Sequence, residues 1–275
     1  MKKTLLTLLV VLVISVCVVA AVACSSNTIT VMAEAGSAGE DIAKDFVEKN
    51  NNAEYISAQA QRDVLTELIA KTADIGFIDS IMANYYIQTE GSTFAGKLEM
   101  VEIDAEAETY AIGFRKADVY LTQKVNAALY DLQQDGTITE IASTYGLNNS
   151  LVTFTEPTVD ESLDKSGYEY IISRGKMIIG YTLFAPIAYK NDSNKLIGFD
   201  IDVAKAVCEK MGIVAEFQEI EWNDKEIELN AKNIDAIWNG MTLTEARAQS
   251  MSMSASYLKN KQVAVVRKGE SNLVK

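Results

Sequence analysis

Glu67-Leu68-Ile69-Ala70-Lys71-Thr72-Ala73-Asp74-Ile75 and Glu228-Leu229-Asn230-Ala231-Lys232-Asn233-Ile234-Asp235-Ala236 share Glu, Leu, Ala, Lys and Asp at a constant offset. In each copy a helix ends at a lysine, a tight turn follows, and the aspartate opens a short apolar strand. Polar residues stand just past each strand, Asp79-Ser80 in one copy and Asn239-Gly240 in the other. Chance similarity of two amphipathic segments is the plain alternative. The shared Lys-x-x-Asp turn and the polar strand ends favour two related lobes. Ligands of open α/β sheets bind outside the carboxyl ends of the strands, so lobes facing each other would bring both polar sets to one cleft.

The flanking sequence repeats the alternation of helix and strand. Ile42, Phe46 and Val47 are spaced for one helix face, as are Val64, Leu65, Leu68 and Ile69. Leu121, Val125, Ala128, Leu129 and Leu132 mark a longer helix ending near Gly136, and Ile138, Ile141 and Tyr145 a short one stopped by Gly146. Phe199, Val203 and Val207 mark another, ended by Gly212. Strands are expected over 28–32, 75–78, 111–114, 177–179, 234–238 and 263–266. This alternation indicates the α/β class with parallel sheets. Residues 147–166, with Pro157 and five Asp, Glu and Lys side chains among polar neighbours, read as a linker.

The N-terminus reads as an export signal. Lys2 and Lys3 precede an apolar run from Thr4 to Ala23, long enough to span a bilayer as a retained helix. The run ends in Ala21-Val22-Ala23 before Cys24, the layout of a cleaved signal over residues 1–23. Ala-Val-Ala-Cys resembles a bacterial lipobox with Cys24 lipidated, although Ala21 stands where leucine is usual. Either reading places the rest of the chain outside the cytoplasm. The 25 Lys+Arg against 38 Asp+Glu argue against nucleic acid, which demands a basic surface. No later apolar stretch is long enough to cross a membrane, which excludes a channel or permease. The chain has no histidine, which removes the common zinc sites and every Ser-His or Cys-His pair. Beyond Cys17 and Cys24 only Cys208 remains, a lone thiol on an apolar stripe that cannot form an internal disulfide.

From Met177 on, three segments resemble the polar amino-acid binding proteins of ABC importers, the type II periplasmic binding proteins. They are Ile179-Gly180-Tyr181-Thr182-Leu183-Phe184-Ala185-Pro186, Leu196-Ile197-Gly198-Phe199-Asp200-Ile201-Asp202, and residues 234–247 ending Thr242-Leu243-Thr244-Glu245-Ala246-Arg247. These correspond to that family's first lobe. Val31–Ile42 and Asp74–Ile87 resemble its second lobe, Ala111–Lys116 its return hinge, and Leu121–Gly146 its C-terminal helices. The resemblance therefore implies a two-lobed α/β fold in circularly permuted order. Residues 24–110 would hold the lipidated cysteine and second lobe, 111–146 the hinge return and the helices packing on the first lobe. Residues 147–166 would join the old termini, and 167–275 would form the first lobe. The break would fall in a hinge crossover and leave one covalent hinge near Tyr110–Lys116. A permuted chain could be a monomer or a lobe-swapped dimer.

A zwitterionic ligand needs a cation for its carboxylate and an anion for its ammonium. By resemblance Arg247 takes the carboxylate with both guanidinium branches, assisted by Thr242 and Gly240. Asp79 and Gly240 take the amine. Asp79 alone could equally be a helix cap. Phe184, Trp222, Tyr181, Asn239, Ser37, Ala38 and Gly39 would line the side-chain pocket, with Gly36-Ser37-Ala38-Gly39 offering backbone N–H groups. Basic amino-acid binders of the family carry an acid where Tyr181 sits, so a neutral polar, glutamine-like side chain is expected. The implied function is an extracytoplasmic, lipid-anchored receptor that delivers an amino acid to an ABC permease. It would lie in the periplasm or at the cell surface, with no cofactor, metal or catalytic residue. The competing readings are a small-acid dehydratase on the same fold, which needs an extra cleft carboxylate not evident here, and a ligand sensor.

Overall fold

The computed structural model describes residues 28–274, so the apolar leader and Cys24 lie outside the described residues. The first half runs β1 (Ile29–Glu34), α1 (Ala38–Lys49), β2 (Ala53–Ala58), α2 (Gln61–Ala70), β3 (Ile75–Asp79), α3 (Ser80–Gln88), β4 (Leu98–Val101), β5 (Glu108–Tyr110), β6 (Gly113–Arg115), α4 (Val119–Gln134) and α5 (Thr137–Tyr145). The second runs α6 (Ser166–Arg174), β7 (Lys176–Tyr181), β8 (Tyr189–Lys190), β9 (Leu196–Ile197), α7 (Phe199–Lys210), β10 (Val214–Glu219), α8 (Lys225–Asn230), β11 (Ala236–Ile237), α9 (Glu245–Ser250), β12 (Met251–Met253), β13 (Leu258–Asn260) and β14 (Gln262–Arg267). Among the described residues no helix is long and apolar enough to cross a membrane.

The repeated nonapeptides fold into the same turn. Lys71 and Lys232 both adopt left-handed conformations at φ 64°. The next amide returns to the glutamate carbonyl, Thr72 to Glu67 at 3.1 Å and Asn233 to Glu228 at 3.0 Å. The aspartate then anchors the adjacent strand: Asp74 accepts the Thr30 N–H at 3.0 Å and Asp235 the Ile178 N–H at 2.8 Å. An arginine clamps each aspartate, Arg267 on Asp74 at 2.7 Å and Arg115 on Asp235 at 3.4 Å, with Arg174 also on Asp235.

These turns seed two five-stranded sheets, ordered β2-β1-β3-β14-β4 in an N-lobe and β10-β7-β11-β6-β12 in a C-lobe. Each has a parallel part, β2-β1-β3 and β10-β7-β11. Each then gains an antiparallel insert, so the expectation of wholly parallel sheets is corrected: β14 runs against β3 and β4, and β6 against β11 and β12. Helices α1 and α2 cover the N-lobe sheet with separate apolar clusters around Ala43 and around Leu65 and Leu68. The largest cluster joins α4, α5 and α7 to β7 in the C-lobe and encloses the buried Cys208.

The inserts carry the chain between lobes twice. Strands β5 and β13 pair antiparallel, Leu258 opposite Tyr110 and Asn260 opposite Glu108, and lead into β6 and β14 respectively. Two expectations therefore change. The lobes share two covalent crossovers rather than one, and residues 262–267 belong to the N-lobe sheet rather than to a lobe spanning 167–275. Apolar burial decides the second point, since Val263, Ala264, Val265 and Val266 are all fully buried between β3 and β4. The segment after α5 is also less free than a polar linker. Its Phe154 is buried, the Val152 N–H donates to the Tyr257 carbonyl at 3.0 Å, and the Phe154 N–H to Gln133 Oε1 at 2.7 Å.

Candidate functional site

Both lobes present strand ends to one narrow cleft. It is lined from the N-lobe by Glu34, Ser37, Ala38, Gln61 and Met82, and from the C-lobe by Thr182, Leu183, Phe184, Trp222, Asn239, Gly240, Thr242 and Arg247. Seven of the expected residues thus meet there in addition to Arg247: Phe184, Trp222, Asn239, Gly240, Thr242, Ser37 and Ala38.

Arg247 lies on the first turn of α9, whose N-cap Thr244 accepts its backbone N–H at 3.2 Å. Its guanidinium spans the gap between lobes. Nη1 donates to the Thr242 carbonyl at 2.7 Å and Nη2 to the Gly36 carbonyl of the N-lobe at 3.1 Å. Burial pulls its pKa down, with the Asp79 and Glu108 charges opposing. Lys225 reaches the same Gly36 carbonyl at 3.2 Å and the Trp222 carbonyl at 3.1 Å, with Nζ 4.7 Å from the Trp222 ring centroid. Desolvation brings this lysine down to about 8. Ser37 caps α1, accepting the Glu40 N–H at 3.2 Å and donating to the Glu34 carbonyl at 2.7 Å.

Gly240 has a tightly drawn backbone. Its φ is +61°, and a Cβ there would stand 2.8 Å from Phe184 Cε1. Its N–H donates to buried Asp200 Oδ2 at 2.7 Å, which leaves only its carbonyl for a ligand. Of the two expected Gly240 contacts, the one to a carboxylate has no free N–H, whereas the one to an amine keeps the carbonyl. The Asn239 amide is bonded to Thr182, 2.7 Å from Oγ1, and the Thr242 hydroxyl donates to Glu108 Oε2 at 3.2 Å.

Three expected residues stand outside the lining. Tyr181 turns away, its hydroxyl donating to Glu219 Oε2 at 3.3 Å, and neighbouring Thr182 faces the cleft instead. Gly39 packs on β3, where a Cβ would meet the Phe77 carbonyl oxygen at 2.7 Å. Asp79 ends β3 and makes no side-chain cap to α3. Its Oδ1 accepts from Tyr110 at 2.7 Å, from Gln262 at 3.1 Å and from Asn260, while Gln61 holds Oδ2. Burial pushes this carboxyl up to about 6, against the pull of the Tyr110 hydroxyl. Asp79 is thus the centre of a hinge network drawn from both crossovers, with cleft-lining Gln61 covering one oxygen.

Glu34, Gln61 and Lys225 were not picked out by sequence reasoning. Glu34 ends β1 and is only 4 % exposed. Burial pushes it up to about 8, with the Asp79 charge adding and Lys225 opposing. The signal that could have found it is its place at the end of an apolar strand directly before Gly36-Ser37, in the same position relative to β1 that Asp79 holds relative to β3.

Residues 177–275 match the bacterial extracellular solute-binding proteins, family 3. A probable amino-acid ABC transporter-binding protein of Haemophilus influenzae is 32% identical over 90 residues, 33% of this chain and 35% of that protein. The histidine-binding periplasmic protein of Escherichia coli is 37% identical over 71 residues, 26% of this chain and 27% of that protein. A polar amino acid ABC uptake transporter substrate binding protein of Streptococcus thermophilus, solved as a crystal structure, shares 41% identity over 32% of this chain and 33% of its own, with a TM-score of 0.30. The chain spans about a third of the length of the curated relatives it matches.

Proposed function

We propose that the whole chain, whose residues 177–275 match the family 3 solute-binding proteins, is an extracytoplasmic receptor that captures a free α-amino acid between its lobes for an ABC importer. The observation that carries this reading is the Arg247 guanidinium, half-buried at the lobe boundary and directed at a carbonyl of the opposite lobe. A ligand carboxylate would take the place of that carbonyl and gain a charge-assisted, two-pronged contact. The α-ammonium would sit against the Gly240 carbonyl and, with Gln61 displaced, Asp79. Trp222 and Phe184 would exclude water from both contacts.

Capture would proceed by closure. Besides the Gly36 contacts, Tyr85 and Tyr189 meet across the cleft mouth at 5.6 Å between ring centroids. A ligand touching both lobes binds the closed arrangement better than the open one and shifts the population towards it. In the same reading Cys24 anchors the receptor by lipid, and the N-lobe-first order is a circular permutation of the family arrangement. The glutamine-like preference drawn from Tyr181 loses its basis, because that residue faces Glu219 and Glu34 supplies an acid from the other lobe.

The test is a thermal-shift panel of free amino acids on purified residues 25–275. A matching ligand at a hundredfold excess over its dissociation constant is expected to raise Tm by about 5–10 °C. No shift with any amino acid would overturn the reading. Glu34 favours one second reading, a dehydratase of small carboxylic acids, because it places a protonated acid in the same cleft as Arg247. Product analysis separates the two: a receptor returns its ligand unchanged, whereas an enzyme consumes it.

A further inference from the structure

The cleft contains a buried acid, Glu34, that makes no ion pair among the described residues. Arg247 and Lys225 both spend their donors on carbonyl oxygens, and Lys225 also lies over the Trp222 ring. No ion pair among the described residues includes Glu34. Its one side-chain hydrogen-bond partner is Gln61, an amide it shares with Asp79. The ionisable groups acting on it are Asp79 and Asp63 on one side and Lys225 on the other. A zwitterion with a neutral side chain would leave Glu34 buried without an ion-pair partner, and a cationic side chain would supply one. Trp222 and Phe184 line the same cleft, and aromatic rings attract cations, as Lys225 over the Trp222 ring already shows.

We infer that Glu34 is a specificity-determining residue that selects an amino acid with a cationic side chain, such as a guanidinium, ammonium or imidazolium group. This inference rests on the amino-acid reading above. The carboxylate and α-ammonium keep the partners proposed there, and the side chain reaches across to Glu34. Because the free carboxyl holds its proton near neutral pH, binding of a cation there releases that proton, and Glu34 becomes the charged acceptor of a buried pair.

The experiment is titration calorimetry of the full mature chain with L-lysine, L-arginine, L-glutamine and L-norleucine, in two buffers of different ionisation enthalpy near pH 7. L-Lysine or L-arginine is expected to bind about 10- to 100-fold more tightly than L-norleucine, with proton release. In Glu34→Gln, isosteric with the protonated acid, that advantage and the proton release should vanish while the free protein keeps its Tm. Binding of neutral amino acids in preference to basic ones would overturn this inference and leave the amino-acid reading standing. A basic preference unchanged in Glu34→Gln would overturn it too. Absence of binding by every amino acid would overturn both.

Discussion

Arg247→Ala is expected to weaken ligand binding by roughly 30-fold to several thousand-fold, the range for truncating one partner of a buried charge pair. The thermal shift of the best ligand should disappear at concentrations that saturate the wild type. Two losses act together. The ligand carboxylate would lie in a dehydrated cleft with Lys225 as the cation left beside it among the described residues. The N-lobe would also lose the Nη2 contact to the Gly36 carbonyl, so closure itself would be less favourable. Arg247→Lys separates these effects. It keeps a charge but cannot donate to Thr242 and to the opposite lobe in one plane, so partial weakening is expected. An alanine variant that binds within threefold of the wild type, by the same calorimetry, would remove Arg247 from the site.

The largest expected change in stability comes from Asp235→Ala. This carboxylate is fully buried and accepts from the Ile178 amide at 2.8 Å, from Arg174, and from Arg115 at 3.4 Å. Removing it leaves Arg174, whose side chain is 20% exposed, without an ion-pair partner among the described residues, while Arg115 keeps Asp118 at 2.8 Å. The loss is expected to be about 3–5 kcal/mol, the cost of leaving a buried charge without its partner. At this chain length that lowers Tm by about 10 °C. Asp74→Ala is the internal comparison. Asp74 occupies the equivalent turn but is 31% exposed, so water can replace part of what it provides, and a smaller loss is expected. Calorimetric melting of both variants decides the matter: equal losses would mean that burial does not set the strength of these clamps.

The lobe pattern was legible because it is local. A lysine in the left-handed region, a glutamate that takes the next amide and an aspartate that opens a strand all fall within nine consecutive residues of each repeat. The cleft residues of the C-lobe were legible for a similar reason, since Phe184, Asn239, Thr242 and Arg247 lie in short motifs after strands. What could not be read depends on register and on distant pairing. Successive strand residues point to opposite faces, so a shift of one position decides whether Tyr181 or Thr182 faces the ligand. Asp79 reads as an open carboxylate until Asn260 and Gln262, far along the chain, arrive to bond it. Strand β14 is apolar throughout, and periodicity says that it is buried but not in which sheet. Glu34 was missed because a glutamate is so rarely buried that its presence at a strand end reads as surface.

The two crossovers set a timetable for synthesis. Strand β14 lies between β3 and β4, inside a sheet whose other strands precede the C-lobe strands β7, β10, β11 and β12, yet it is made after all of these. Domains completed early in translation normally fold while the rest is still being added, at about 5–20 residues per second. Here the N-lobe stays one inner strand short, with the apolar edges of β3 and β4 unjoined, until every strand of the C-lobe has been made. The later lobe, by contrast, has received β6 well before its own strands emerge. The molecule is therefore finished in the reverse of the order in which its lobes are begun, and a nascent chain stopped before residue 262 has no complete N-lobe sheet to fold into.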